Sequence, residues 1–131
     1  MTNLVEMKTA DLTGEALNCS VAKALGLHVY LAEPHYMNAH RVMVRYTPEG
    51  CHFEQEKRFQ PSTDWAQGGE LIDKYEIVFA FFPDDAERYW ASCCSMSGEE
   101  YGPTHLIAAC RAIVASVLGD TVSVPKELCH E

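Results

Sequence analysis

The stretch that decides the fold runs from residue 102 to residue 119 and reads GPTHLIAACRAIVASVLG. Its Gly-Pro-Thr opening and its final glycine are typical start and stop signals, so the sequence predicts a helix from Thr104 to Leu118 with Gly119 as the C-terminal cap. At 100° per residue, the larger apolar side chains form one broad stripe along this helix. The stripe comprises Leu106, Ile107, Cys110, Ile113, Val114, Val117 and Leu118.

The opposite side of this helix carries small residues instead of charges. Arg111 is the one charged residue between Thr104 and Leu118. A helix face that meets water normally carries several charges. Because small residues let backbones approach closely, we expect this second face to be covered as well, by another helix or by another subunit. The small residues are Ala108, Ala109, Ala112, Ala115 and Ser116.

The rest of the chain predicts a mixture of helices and strands. Apolar residues at helical spacing predict a first helix over residues 12–25, and residues 70–75 predict a short second one. Two segments, 59–69 and 95–101, are rich in polar and turn residues and predict loops. Residues 27–40 have no clear periodicity. Strands are predicted at residues 4–8, 41–46, 53–59, 77–82, 88–94 and 121–124.

These elements predict an α+β fold. Three helices and about six short strands, with antiparallel hairpins in the middle of the chain, indicate an antiparallel sheet with helices packed on it, similar to an αβα sandwich. The alternation is too irregular for a doubly wound parallel sheet. A length of 131 residues predicts a single domain over residues 1–131.

The net charge and composition of the chain limit the classes of binding partner. Ten Lys and Arg against nineteen Asp and Glu give a net charge of −9, which disfavours long nucleic acids and anionic membrane surfaces. The chain has no run of 18 apolar residues, and its first six residues lack the features of a signal peptide, so we expect a cytoplasmic location. Residues 41–60 and 101–118 each carry a local charge of +1, leaving −11 for the remainder. A small phosphate-bearing ligand therefore stays compatible with the charge pattern.

The sequence contains no motif that clearly indicates a metal site or a catalytic site. Cysteine and histidine are abundant, but the nearest groupings, residues 93–94 and His35 with His40, do not suit a tetrahedral zinc site. Cys110 lies on the apolar stripe and is interpreted as a core residue. The acidic pairs at 84–85 and 99–100 fall in predicted turns, where carboxylates are usually solvated. We expect no metal, no cofactor, no catalytic residue and no enzymatic activity.

A ligand site is better supported by the residues around Ser62. Ser62, Thr63 and Asp64 precede the aromatic Trp65, and Thr104 begins a helix whose first amides favour an anion. This pattern predicts an anion or nucleotide site in which Ser62, Thr63 and Asp64 contact the polar edge of the ligand.

Two further side chains complete the predicted site. Arg111 lies seven residues after Thr104, hence on the same side of the helix and about 10 Å along its axis, where it could hold a phosphate. Phe59 or Trp65 would stack on a base. The alternative interpretation is structural: Asp64 caps a helix and accepts a hydrogen bond from Arg111, which fixes a loop.

Four motifs carry a resemblance to a known family. The chain resembles the NinX-like family of small phage proteins, which implies an origin in a phage or prophage but no established activity. The matching stretches are KTADLTGEAL at residues 8–17, PSTDWAQGG at 61–69, GPTHLIAACRA at 102–112 and GDTVSVP at 119–125.

A second resemblance carries more functional content. The Ser62-Thr63-Asp64 motif after an aromatic residue, with residues 109–112 in a late helix, resembles the phage ABA sandwich proteins. That group includes anti-Thoeris sponges, which are homo-oligomers that bind cyclic ADP-ribose-type signals without cleaving them, and some bind cyclic oligonucleotides. The resemblance implies a non-enzymatic, homo-oligomeric protein that sequesters a nucleotide-derived host immune signal through Ser62, Thr63, Asp64 and Arg111. The sequence after Asp64 departs from the sponges, so the ligand's identity stays open.

Two other functions fit the sequence. The first is an acidic phage interaction protein that inhibits a host protein by direct binding, in which case its charge should be concentrated on one face. The second is an enzyme that acts on a nucleotide.

Overall fold

Three α-helices and eight strands form the part of the chain that the computed structural model describes, residues 3–34 and 40–129. The helices are α1 (Gly14–Ala24), α2 (Trp65–Lys74) and α3 (His105–Val117), with short 3-10 helices at Thr9–Asp11 and Lys126–Leu128. The strands are β1 (Leu4–Lys8), β2 (His28–Ala32), β3 (Arg41–Tyr46), β4 (Gln55–Arg58), β5 (Ile77–Phe81), β6 (Tyr89–Cys93), β7 (Glu99–Gly102) and β8 (Thr121–Pro125).

Every described strand pair is antiparallel, and the strands form three separate sheets. Their orders are β1-β8, β2-β3-β4 and β5-β6-β7. The α+β class with antiparallel pairing is confirmed, whereas the expectation of one sheet was wrong. The first sheet joins the two ends of the described chain, β1 and β8, whereas each of the other two sheets is built from three consecutive strands.

Helix α3 forms where it was predicted and packs against α1, α2, β6 and β7. The Thr104 hydroxyl oxygen accepts a hydrogen bond from the Ile107 N–H at 3.1 Å, and Gly119 ends the helix at a positive φ of 99° that glycine adopts readily. All three helices contribute to one hydrophobic core. Core residues from them include Leu17 on α1, Leu71 on α2 and Ile113 on α3.

The small-residue side of α3 is covered, as expected, but the expected cover, another helix or another subunit, was wrong, because strands β6 and β7 of the same chain pack there. Ala108, Ala109 and Ala112 are almost fully buried there. A Cβ atom on Gly102 of β7 would lie 2.6 Å from the backbone nitrogen of Ala108, so the contact requires glycine. A second subunit is therefore not needed to bury this side of the helix.

Two predicted loops are partly regular structure. Helix α2 begins at Trp65, so the prediction of a loop to residue 69 was wrong and the helix predicted at 70–75 is its second half. The Asp64 carboxylate starts the helix early by accepting a hydrogen bond from the Ala66 N–H at 2.9 Å. Within the predicted loop at 95–101, residues from Glu99 onward form β7, which pairs with β6.

Candidate ligand-binding cleft

A cleft of about 370 Å³ opens where α2 and α3 begin, and we name it the helix-start cleft. It brings together four of the seven predicted site residues: Ser62, Thr63, Trp65 and Thr104. The remaining lining residues are Tyr89, Pro103, His105, Leu106 and Ile107. Two loops that are distant in sequence therefore form one concave surface.

The first residues of α3 lie at this cleft. Thr104 caps the helix, and the first intrahelical hydrogen bond joins the Ala108 N–H to the Thr104 carbonyl at 3.0 Å. The N–H groups of His105 and Leu106 precede that bond, so they have no partner within the helix. Both residues line the cleft. The positive end of the helix dipole at this point favours a negatively charged or electron-rich group.

Aromatic rings cluster around His105, and two of them, Tyr89 and Trp65, line the cleft with it. The His105 ring centroid lies 4.0 Å from that of Tyr89, 5.0 Å from that of Phe79 and 6.1 Å from that of Trp65. Trp65 is 59% exposed, although its ring stands at the cleft. An exposed indole beside two further rings offers a flat surface on which a planar ligand can stack.

Ser62 is held by a side chain that the sequence did not single out. Its hydroxyl donates to the Asn18 Oδ1 atom at 2.8 Å, and its backbone N–H donates to the same oxygen at 3.2 Å. Ser62 and Asn18 are both buried. This contact fixes the loop before α2 against α1.

A second polar network supports the same loop. The Gln67 side chain accepts a hydrogen bond from the Gln60 N–H at 2.7 Å and donates to the Arg58 carbonyl at 2.8 Å. Arg58 in turn forms a two-pronged ion pair with Glu15 on α1, with one hydrogen bond of 2.8 Å. The loop that lines the cleft is thus attached to both α1 and β4.

The Arg58 contact also sets the protonation of Glu15. Burial would raise the pKa of the Glu15 carboxyl, but hydrogen bonds from Arg58 and from the Val42 N–H outweigh it and hold the pKa below its ordinary value of 4.5. Glu15 is therefore ionised at neutral pH, and the ion pair is present there.

Phe59, Asp64 and Arg111 do not line the cleft. Asp64 caps α2, as the structural alternative predicted. Phe59 is 5% exposed and belongs to the core. The structure places Arg111 in the interior, 3% exposed.

The hydrogen bonds of Arg111 connect three separate parts of the chain. Its Nε atom donates to the Leu12 carbonyl at 2.9 Å, while Nη1 donates to the Tyr101 carbonyl at 2.8 Å and to Glu87 at 3.0 Å. The side chain is therefore committed to joining the segment before α1, the end of β7 and the turn after β5. The alternative interpretation had expected Asp64 as its partner.

Possible metal ligands and the Cys110 thiol lie within residues 3–34 and 40–129. No group of three or more His, Cys, Asp or Glu side chains within those ranges could hold a metal ion. His35, one of the predicted grouping, lies outside them. Cys110 is a core residue, as expected, and burial raises the pKa of its thiol to about 12, which disfavours the reactive thiolate at neutral pH.

None of the helices in the described ranges has the length and apolar character needed to cross a membrane.

Sequence comparison identifies the chain's relatives. No curated protein matches it. The family model described as Bacteriophage P22, NinX matches residues 8–117, a range that includes every residue lining the helix-start cleft. The resemblance to NinX-like phage proteins is thereby confirmed: the chain belongs to the bacteriophage P22 NinX family.

Proposed function

We propose that this phage accessory protein binds a nucleotide-derived small molecule in the helix-start cleft and sequesters it without altering it. The observation that carries the proposal is the position of Trp65 and His105, whose rings stand beside the first backbone amides of α3. An aromatic surface next to anion-favouring amides matches the two parts of a nucleotide, a planar base and a phosphate.

The ligand class follows from the size and chemistry of the cleft together with the resemblance to signal-binding phage proteins. A volume of about 370 Å³ falls in the range of small-molecule sites, roughly 300–1,000 Å³. We therefore expect a cyclic ADP-ribose-type signal or a cyclic oligonucleotide of a host defence system. Sequestering such a signal would counter anti-phage defence in the host cytoplasm.

The roles of the site residues differ from one another. Trp65 stacks on the base, and the hydroxyls of Thr63 and Thr104 contact polar ligand atoms. The His105 and Leu106 amides contact phosphate. Ser62 and Asp64 position the loop through their contacts with Asn18 and with the start of α2.

Among the described residues that line the cleft, none is a Lys or an Arg. Ligand affinity should therefore depend only weakly on salt, because neutral amides and stacking supply it.

Isothermal titration calorimetry tests the proposal with cyclic ADP-ribose isomers and a panel of cyclic oligonucleotides. Loss of base stacking in Trp65→Ala removes about 1–3 kcal/mol, so we expect its affinity to fall by about 5- to 150-fold. Phe53→Ala is the matched control, because Phe53 is a 79% exposed aromatic residue that is not among the cleft residues.

Three results would contradict the proposal. The first is a wild-type protein that binds none of these compounds, and the second is an equal loss in Trp65→Ala and Phe53→Ala. The third is turnover of a bound compound, detected by mass spectrometry, which would identify an enzyme instead. Mass spectrometry of small molecules that copurify with the protein would give the identity of the ligand directly.

Homo-oligomerisation, which the same resemblance implies, stays a prediction. The small-residue side of α3 does not support it, because β6 and β7 of the same chain already cover that side. Light scattering on the purified protein would measure the number of copies.

A further inference from the structure

The third sheet, β5-β6-β7, has a second face that is independent of the helix-start cleft. Residues directly opposite each other in antiparallel strands share a face. The register pairs Val78 with Ser92, Ala80 with Trp90, Trp90 with Tyr101, and Ser92 with Glu99. These six residues define what we name the outer face. The alternate residues, among them the buried Ala91 and Gly102, face α3.

The outer face is unusually apolar for a surface that meets solvent. Val78 is 47% exposed and Tyr101 is 45% exposed. Phe82, which follows β5, is 42% exposed, and its ring centroid lies 6.1 Å from that of Tyr101. Antiparallel sheets normally carry polar residues on the solvated side. Contiguous exposed apolar side chains of this kind mark interaction surfaces.

Acidic side chains lie in the turn beside these apolar residues and on the outer face itself. Residues 76–101 carry six acidic groups and one basic group, a net charge of −5 out of −9 for the whole chain. Two of the six do not add charge to the outer face, because Glu100 lies opposite Ala91 on the face toward α3 and Glu87 is paired with Arg111. Asp84, Asp85 and Glu87 are exposed in the turn between β5 and β6. Glu99 lies on the outer face itself, where it accepts a hydrogen bond from the Trp90 indole N–H at 3.1 Å. That bond fixes the indole in place.

The acidic charge of the outer face determines which kind of binding partner fits it. A second copy bound through the same face would bring two acidic rims together, and an anionic lipid surface would be repelled in the same way. A partner with lysine or arginine side chains around an apolar centre complements both features. We propose that the outer face docks a protein surface of this kind.

The docking surface and the cleft can be occupied at the same time. Tyr89 on β6 lines the helix-start cleft, and its neighbour Trp90 points to the opposite side of the sheet. Binding at the outer face is therefore testable without reference to the ligand in the cleft.

The experiment begins with a photoreactive amino acid placed at Val78 of the full chain expressed in bacteria, with the same group at Phe53 as the control position. A protein captured at Val78 and not at Phe53 is then purified, and its affinity for wild type and variants is measured. The proposal expects the double variant Val78→Ser/Tyr101→Ser to bind at least about tenfold more weakly. It also expects weaker binding in Asp84→Asn/Asp85→Asn and at about 0.5 M salt.

Other outcomes overturn the proposal. They are absence of any cross-link specific to Val78, a cross-link to a second copy of the chain, and a captured protein whose affinity is insensitive to salt or to the variants. The Asp84→Asn/Asp85→Asn variant changes only exposed turn residues, so it decides the matter even if the sheet variant fails to fold. Phe53→Ser should leave the affinity unchanged.

Discussion

Ser62 and Asn18 are joined by two hydrogen bonds to a single oxygen atom. The Ser62 hydroxyl and backbone N–H donate to Asn18 Oδ1 at 2.8 Å and 3.2 Å, and both residues are at most 3% exposed. The bonds connect α1 to the loop that lines the helix-start cleft, across 44 positions of sequence. The shape of the cleft thus depends on a helix that contributes no lining residue to it.

Asn18→Ala should destabilise the fold, because it leaves the hydroxyl and the N–H of Ser62 buried without their partner. The expected loss in the free energy of unfolding is about 1–3 kcal/mol, measured by urea denaturation. Thr63→Ala, at the exposed neighbouring position, should cost less than about 0.5 kcal/mol. Equal losses in the two variants would show that the Asn18 contact does not hold the loop.

Arg111→Ala should also act through stability. It removes the donors for the carbonyls of Leu12 and Tyr101, at an expected cost of about 2–4 kcal/mol. Arg111→Lys should restore little of this, because an ammonium group cannot reproduce the fork of the guanidinium. Glu87→Gln should cost less than about 1 kcal/mol, since the Glu87 side chain is 48% exposed. Thermal or urea unfolding of the three variants measures the order of these losses in stability. A stable Arg111→Ala protein with weakened ligand binding would contradict the structural role of Arg111.

Stability should fall in acid through Glu15. Its pKa is lowered in the folded protein, so the stabilisation is fully present above the ordinary value of 4.5 and is lost as the pH falls through the lowered pKa. Arg58→Met removes the partner, and we expect a smaller loss of unfolding free energy between pH 7 and pH 3 than in wild type. Lys8→Met, at an exposed position on β1, is the control and should keep the wild-type slope. Parallel pH profiles for Arg58→Met and wild type would refute the assignment.

The sequence predictions are accurate where the contacts that determine an element lie within one segment of the chain, and they fail where those contacts join distant segments. Helix α3 was predictable because its cap residues, Thr104 and Gly119, and its apolar stripe all lie within one segment. The division into three sheets was not, because strand pairing depends on contacts between distant segments. Strand β2 escaped detection because four of its five residues are half-buried, which blurs the alternation of polar and apolar side chains.

The residues of the candidate site also differ in whether nearby sequence or tertiary packing determines their position. Ser62, Thr63, Trp65 and Thr104 lie together at the cleft because each stands at or just before the start of a helix, a position that hydroxyl residues signal in the sequence. Tyr89 was not predicted, because only the packing of β6 against α3 brings its ring to within 4.0 Å of that of His105. Arg111 was expected to face a ligand on the same side of α3 as Thr104, but β7 and the segment before α1 enclose its guanidinium.

Gly102→Ala should separate β7 from α3. The new Cβ atom would lie 2.6 Å from the backbone nitrogen of Ala108, and backbone atoms in a central helix cannot move aside cheaply. We expect a loss in the free energy of unfolding of about 1–3 kcal/mol or more. Gly69→Ala is the matched control: a Cβ atom added at Gly69 would meet no other atom within 4 Å, and within α2 alanine should stabilise the helix by up to about 1 kcal/mol.

The two glycine variants should also differ in ligand binding. Because Gly102 directly precedes Pro103 and Thr104, Gly102→Ala should weaken ligand binding at the cleft, whereas Gly69→Ala should leave it intact. Opposite signs in urea denaturation are the expected result, and a tolerated Gly102→Ala would mean that the small-residue side of α3 is less closely packed than these distances require.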